Sequence, residues 1–209
     1  MRPRDAGFVL LALLLVAAAP PTPAPRIEAS VHGYVPALSQ GRKSRGCWAT
    51  AAAMLLSWKL GRTVRPEEAA AMAGPRFVTA WTKNTGLSGD DKVTFLRRIH
   101  LVTEAPQDFS IEGWRDLVRD YGPLWVTTQQ ASNVHGRIVE RISGDASGDG
   151  TFVFVIDPEG GVRRKESLIR LTQDFDNVAI SDMAANVPFR AQIVHFCPDE
   201  SAPTKLYGC

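Results

Sequence analysis

Hydrophobic and polar positions divide the chain into an N-terminal part with helical patterning and a C-terminal part with short β-like runs. Residues 47–60, "CWATAAAMLLSWKL", are apolar almost all round, with Gly46 before them and Gly61 after them. A helix without a polar face is one that is buried on all sides. The pattern therefore predicts a buried helix from Cys47 to Leu60.

Three more helices are predicted in the first part of the chain. One begins at Pro66, carries two acidic residues in its first turn and ends at Gly74. The next spans about Asp90 to Ile99. The last follows Ser110, a suitable N-cap, and repeats apolar residues on one face until a Gly-Pro pair stops it.

The second part of the chain contains β-branched and aromatic runs separated by turn residues. These runs are "LWVTT", "HGRIVERIS", "TFVFVID" and "RAQIVHF", and "ESLIRLTQDF" predicts one last helix among them. Helices first and strands later indicate an α+β domain. We expect an N-terminal helical half packed against a C-terminal antiparallel β-sheet half.

Residues 1–29 are expected to lie outside this domain as a signal peptide and proline-rich linker. Arg2 and Arg4 precede the apolar run from Phe8 to Ala19, and small residues and prolines follow it, as in secretory signals. The run is shorter than the roughly 20 residues of a membrane span, so an uncleaved anchor is the less favoured alternative. We expect residues 30–209 to be exported, either periplasmic or secreted, with membrane contact only through an uncleaved signal segment.

Composition sets the size of the core and argues against one class of partner. The chain has 209 residues, 44% of them hydrophobic, and a formal net charge of +2. One domain of this size buries a sufficient core without a metal, and so small a charge does not favour nucleic acid. No CxxC pair and no two histidines at i, i+4 occur, so no cofactor or metal site is predicted.

The expected export determines how the three cysteines are interpreted. In an oxidising compartment paired cysteines form disulfides. Cys197 and Cys209 are close enough in sequence to close a small C-terminal loop, which would leave Cys47 free. A disulfide between Cys47 and one of the other two is an open alternative.

Two candidate catalytic residues are brought together by a predicted hairpin. The segment "GDASGDG" over residues 144–150 is a strong turn signal, so the strands beside it are expected to run antiparallel. His135, the first residue of one strand, and Asp157, the last of the other, then lie at the same end of the ribbon. A carboxylate beside a histidine holds one imidazole tautomer and stabilises the imidazolium.

Cys47 and Gln40 complete the candidate site. Cys47 lies at the N-terminus of the predicted buried helix, where the macrodipole lowers the pKa of a thiol. A nearby imidazole forms with it a thiolate–imidazolium pair, the activated form of a cysteine nucleophile. The amide of Gln40, seven residues upstream, together with the Cys47 backbone N–H, is expected to form an oxyanion hole.

Three short motifs resemble a known group of enzymes. They are "Q-x6-C-W-A" at residues 40–49, "H-G-R-I-V" at 135–139 and "I-D-P" at 156–158. Together they resemble the papain-like cysteine peptidases, most closely the bacterial branch with the AvrRpt2 family and its C39-like relatives. The resemblance covers about residues 35–197 and implies a papain-like fold with the active-site cleft between its two halves.

The same resemblance implies a role for each candidate residue. Cys47 is the nucleophile, His135 the general base and acid, Asp157 the orienting residue and Gln40 the oxyanion donor. Gly136 stands where many members have alanine, and we expect that change to loosen the start of the strand.

The expected function is hydrolysis of peptide bonds by an exported thiol peptidase through an acyl-enzyme intermediate. Its substrate would be a peptide or protein, and a cognate inhibitor is neither indicated nor excluded. The first alternative is a cell-wall peptide amidase or peptidoglycan hydrolase on the same scaffold. The second is a catalytically inactive binding domain in which Cys47 forms a disulfide.

Overall fold

The computed structural model describes residues 25–130 and 133–198, and every structural statement below refers to them. Most of the expected signal peptide and linker, up to residue 24, lies outside the described residues, as does Cys209. No helix in the described ranges is both long enough and apolar enough to cross a membrane.

Within these ranges the chain forms six α-helices and seven β-strands. The helices are α1 (Cys47–Leu60), α2 (Pro66–Ala73), α3 (Pro75–Thr82), α4 (Gly89–Arg98), α5 (Ile111–Tyr121) and α6 (Leu168–Ala184). The strands are β1 (Ile27–Ser30), β2 (Leu101–Thr103), β3 (Leu124–Gln130), β4 (Asn133–Gly144), β5 (Thr151–Asp157), β6 (Val162–Ser167) and β7 (Ile193–Phe196). The strands form one antiparallel sheet in the order β2-β7-β3-β4-β5-β6, with β1 paired to the C-terminal end of β4. The fold is α+β and consistent with a papain-like domain, as the sequence predicted.

Helices cover both faces of the sheet. Because side chains alternate between the two faces of a strand, each strand contributes to two apolar clusters. Trp125, Ile138 and Ile156 pack with α1 and with the apolar residues of α2 to α4. Leu124, Val126, Val139 and Val155 pack on the other face with α5 and α6. The predicted helical half is therefore divided between the two faces, because α1 to α4 cover one face while α5 covers the other together with α6.

Helix α1 is the central element of the first cluster, with the bounds that the sequence predicted. Its alanines at positions 49, 51, 52 and 53 have no solvent exposure, and their small side chains allow close packing on every side. Two buried hydroxyls are satisfied inside the helix. Thr50 Oγ1 donates to the carbonyl of Gly46 at 3.0 Å, and Ser57 Oγ donates to that of Ala53 at 2.6 Å. No polar face is needed, which confirms the prediction of a helix buried nearly all round, with Lys59 and Leu60 exposed at its end.

Strand β4 pairs with three neighbouring strands. Its N-terminal part pairs with β3, its last four residues with β1, and its stretch from Ile138 to Gly144 with β5. The predicted β4–β5 hairpin is confirmed, with Gly144 opposite Thr151 and an irregularity between Val139 and Arg141. The strand begins at Asn133, two residues before the predicted start at His135.

Several elements were not predicted. Residues 27–29, expected in the linker, belong to β1, where Ile27 and Ala29 are buried while Glu28 and Ser30 are exposed. Helix α3 follows α2 after Gly74 alone, with Pro75 in its first turn. Strand β6, "VRRKES", is polar and mostly exposed, and it is held by its pairing with β5. Strand β6 carries none of the apolar periodicity from which strands are predicted, and β1 has only four residues in which to show it.

Candidate active site

The N-terminus of α1 presents unused backbone donors. The first intrahelical bond joins the Thr50 N–H to the Gly46 carbonyl at 3.1 Å, so the helix itself does not use the N–H groups of its first three residues. Gly46 provides no side-chain cap, and a Cβ there would lie 2.8 Å from a ring carbon of Trp81. The first turn, all of it described, contains no acidic residue. This helix end therefore favours an anion.

Cys47 is the first residue of α1 and has a free, partly exposed thiol. Its sulfur is hydrogen-bonded to the side chain of His135 and to the backbone N–H of Gly136, both on β4. Burial alone would raise the pKa of the Cys47 thiol. The two hydrogen bonds, with the positive charges of His135 and Lys92, outweigh burial and lower that pKa below its ordinary value. The environment favours the thiolate.

The other side of the His135 ring contacts Asp157. His135 Nε2 lies 2.7 Å from Asp157 Oδ1, which leaves Nδ1 as the ring nitrogen for the Cys47 sulfur. Burial would lower the pKa of His135, but the hydrogen bonds to Asp157 and Cys47 and the charge of the thiolate raise it to about 9. The imidazolium is therefore the dominant form at neutral pH.

Asp157 is held as a carboxylate at the end of β5. The backbone N–H of Glu159 donates to Asp157 Oδ1 at 2.8 Å, and the side chain is only 4% exposed. Burial alone would raise the pKa of Asp157, but the hydrogen bonds from His135 and from Glu159 lower it. The structure thus brings Cys47, His135 and Asp157 into one continuous chain of hydrogen bonds.

Gly136 is required by a close contact with Trp125. A Cβ at position 136 would lie 2.4 Å from Trp125 Nε1. The sequence-based expectation that glycine loosens the strand here was wrong, because the indole occupies the place of an alanine methyl group. The glycine lets the indole pack directly on the β4 backbone whose N–H binds the Cys47 sulfur.

Gln40 lies on the loop that precedes α1 and is tied to the residue after Asp157. Its backbone N–H donates to the Pro158 carbonyl at 2.8 Å. The side chain is 8% exposed, and its buried Oε1 has no hydrogen-bond partner among the described residues. A buried carbonyl oxygen without a partner is rare, and it is the Nε2 end of the same amide that would donate to an oxyanion. The amide nitrogen and oxygen exchange places by rotation about the last side-chain torsion.

Lys92, on α4, is the member of the site that sequence reasoning missed. Its charge contributes to the lowered pKa of Cys47. Lys92 precedes the buried Phe95 and Leu96 by three and four residues, so it lies on the apolar face of its helix. A lysine at an apolar-face position was the signal that could have found it.

Two surface cavities lie away from the side chains of Cys47, His135 and Asp157. A surface cavity of about 500 Å³ lies between β1 and the β4–β5 turn, at the end of the hairpin remote from His135. A second cavity of about 280 Å³ lies between α5 and α6. Neither of these two cavities is lined by Cys47, His135 or Asp157. Among the described residues, no group of three or more histidine, cysteine or acidic side chains is arranged to hold a metal ion.

Comparison with known proteins identifies one family. The sequence model described as "Papain-like cysteine protease AvrRpt2" matches residues 30–176. That range contains the ends of α1, β4 and β5 at which the three hydrogen-bonded side chains meet. A search of the curated proteins finds no significant match.

Proposed function

The chain belongs to the papain-like cysteine protease family AvrRpt2, and on that premise we propose that it is an exported peptidase with a Cys47–His135–Asp157 triad. That it is a cysteine peptidase follows from the family. The observation that supports the triad is that His135 contacts both other members. Its ring is hydrogen-bonded to the Cys47 sulfur and to Asp157 Oδ1, the latter at 2.7 Å.

Acylation begins from the thiolate–imidazolium pair. The Cys47 sulfur attacks the carbonyl carbon of the scissile amide, and the carbonyl electron pair moves to oxygen. The Cys47 backbone N–H and the Gln40 amide stabilise this oxyanion, as donors aimed at developing charge do. The C–N bond then breaks, the leaving amine takes the proton from the His135 imidazolium, and a thioester remains on Cys47.

Deacylation uses the same groups in the reverse protonation order. Neutral His135 removes a proton from water, and the hydroxide oxygen attacks the thioester carbonyl. Collapse of the second tetrahedral intermediate expels the Cys47 thiolate and releases the carboxylic acid. Asp157 keeps the imidazole in one orientation through both steps and favours its protonated form.

Peptides or proteins are the substrate class that the family implies. No observed contact favours a cell-wall peptide over a protein chain. The alternative of an inactive binding domain required Cys47 in a disulfide, but its thiol is free and hydrogen-bonded to His135. Enzymatic hydrolysis is therefore the better account of the site.

Export is supported by two independent features. The apolar run from Phe8 to Ala19, which follows two arginines, has the layout of a secretory signal. Cys197 is disulfide-bonded, and disulfides persist in oxidising compartments. N-terminal sequencing of the protein recovered outside the cytoplasm tests this point, and an intact N-terminus on protein confined to the cytoplasm would refute it.

The activity is tested by incubating the purified protein and its Cys47→Ala variant with an unfolded protein substrate and with purified sacculi. We expect cleavage of the protein substrate by the wild type alone. The variant should retain its unfolding temperature, because the change removes one sulfur and little volume. Turnover by Cys47→Ala would refute the mechanism, and digestion of sacculi alone would assign the activity to the cell wall.

A further inference from the structure

A half-buried lysine, Lys92 on α4, lies close enough to the nucleophile for its charge to act on it. Lys92 Nζ donates to Thr127 Oγ1 at 2.8 Å and to the Ala191 carbonyl at 2.5 Å. It also lies 4.7 Å from the ring centroid of Trp125. All three partners are neutral, so the ammonium is held firmly in place while none of them cancels its charge.

The partners of Lys92 lead directly to the nucleophile. Thr127 is the Cα partner of Gly136 across the β3–β4 ladder, and directly opposed residues are close neighbours in a sheet. Trp125 packs against the Gly136 backbone, since a Cβ added at Gly136 would lie only 2.4 Å from Trp125 Nε1. The Gly136 N–H is hydrogen-bonded to the Cys47 sulfur. The ammonium and the sulfur are thus held near each other at the same short piece of β4.

Few other charges act on Lys92. From the elements packed around it, the charged groups that influence it are Cys47 on α1, Asp182 on α6 and Arg190 in the segment before β7. Asp182 is fully buried and already paired with Arg190, with 2.7 Å between Oδ1 and Nε. Among the described residues, Lys92 forms no contact ion pair with a carboxylate. The Cys47 thiolate is therefore its most direct counter-charge.

We propose that Lys92 is a positioning residue that stabilises the thiolate form of Cys47 by its charge, in addition to the imidazolium of His135. The inference rests on the proposed role of Cys47 as nucleophile. Two cations then act on one anion in the resting enzyme. When deacylation expels the Cys47 thiolate, the charge of Lys92 lies near this leaving group in addition to that of the His135 imidazolium.

The electrostatics of the site agree with this arrangement. Burial lowers the pKa of Lys92 to about 7, while the charge of Cys47 acts in the opposite direction and raises it. The same attraction contributes to lowering the pKa of Cys47. With a pKa of about 7, Lys92 is mostly charged at more acidic pH.

The test is the pH dependence of Cys47 alkylation by iodoacetamide, followed by peptide mass mapping on the full chain. In Lys92→Met the acid limb should move to higher pH by about one unit, with an approximately tenfold slower reaction at a fixed pH on that limb. Lys92→Gln, which keeps a donor for Thr127 without the charge, should give the same shift. Lys92→Arg, which keeps the charge, should restore the wild-type profile.

Lys43→Met is the matched control. Lys43 Nζ also donates to a backbone carbonyl, that of Trp81, at 2.8 Å and lies 4.8 Å from the centroid of the Trp81 ring. It is closer to Cys47 in sequence, but it is not among the charges that influence that thiol. Its removal should leave the alkylation profile in place.

The outcomes separate this inference from the proposed function. If Cys47 alkylation in the wild type has its acid limb at low pH, and Lys92→Met and Lys92→Gln do not move that limb, the role of Lys92 is overturned. The triad is not affected by that result. A wild-type Cys47 that titrates as an ordinary exposed thiol overturns both. In the His135→Gln background, a further shift on removing the Lys92 charge supports the inference, and the absence of that shift contradicts it.

Discussion

His135 and Asp157 are separated by 22 residues in sequence, yet His135 Nε2 lies 2.7 Å from Asp157 Oδ1. The β4–β5 hairpin returns the chain to the same end of the sheet. The contact holds Nε2 of the imidazole at the carboxylate and directs the other ring nitrogen, Nδ1, towards Cys47. The orientation of the general base is therefore a consequence of how one hairpin closes.

Replacing Asp157 with asparagine should move the basic limb of the pH–activity profile to lower pH. The imidazolium donates the proton to the leaving amine, so activity is lost as pH rises through the pKa of His135, about 9 in the folded protein. Removing the carboxylate takes away the largest contribution that raises this pKa, and we expect a fall of roughly one unit or more. Peptide hydrolysis measured from pH 5 to 10 checks the shift. Asp149→Asn, at the exposed turn of the same hairpin, should leave the limb unchanged, and an equal profile in both variants would contradict the assignment.

Gln40→Ala should reduce the acylation rate while leaving thiol chemistry intact. Loss of one oxyanion donor typically lowers kcat by about a hundredfold to a thousandfold. Alkylation of Cys47 forms no oxyanion, so its rate should stay close to that of the wild type. Parallel measurement of both rates decides the role, because a variant that loses neither rate or both rates contradicts an oxyanion donor at position 40.

Gly136→Ala should destabilise the fold and slow the enzyme. The added Cβ would lie 2.4 Å from Trp125 Nε1, and overpacking of this kind typically costs about 1–3 kcal/mol of unfolding free energy. Trp125→Leu in the same chain removes the obstructing atom, so the cost of the alanine should be smaller in that background. Gly86→Ala, where a Cβ meets no atom within 4 Å, is the control. Denaturant unfolding is measured for Gly136→Ala, Trp125→Leu, the double variant and Gly86→Ala. If Gly136→Ala lowers the free energy of unfolding equally with Trp125 and with Leu at position 125, the packing account is contradicted.

Much of this arrangement could be predicted from the sequence because its signals are local. Gly46, the apolar run of α1 and Gly61 mark the helix that carries Cys47. The "GDASGDG" turn places His135 and Asp157 at one end of a ribbon before any tertiary contact is known. These elements depend on periodicity and turn chemistry, both of which act over a few residues.

The contributions that were not predicted depend on packing between distant segments. Gly136 appeared to be a weak point of its strand, because nothing in the sequence places the Trp125 indole against it. Lys92 reaches the site only because α4 packs beside β3 and the segment before β7. Ile27 and Ala29 join the fold through pairing with β4, more than 100 residues later. Tertiary contacts of this kind leave little trace in local patterning.

Two ion pairs of β4 should differ strongly in their contribution to stability. Arg137, two residues after His135, is only 2% exposed and lies 2.9 Å from Glu166 on β6. Arg141 pairs with Glu28 at 2.8 Å, but both side chains are largely exposed. Because Glu166→Gln leaves a buried guanidinium without its main partner, we expect a loss of roughly 3 kcal/mol in unfolding free energy. Glu28→Gln should cost less than about 1 kcal/mol, and equal costs in denaturant unfolding would contradict the burial argument.

The proposed chemistry depends most of all on Cys47 being activated by His135. A peptidyl epoxide directed at thiol peptidases, followed by peptide mass mapping, measures that activation at the sulfur itself. We predict one adduct, on Cys47, in the wild type near neutral pH, and a large loss of that adduct in a folded His135→Ala variant. Equal labelling of the two proteins, or an adduct at any residue other than Cys47, would contradict the account.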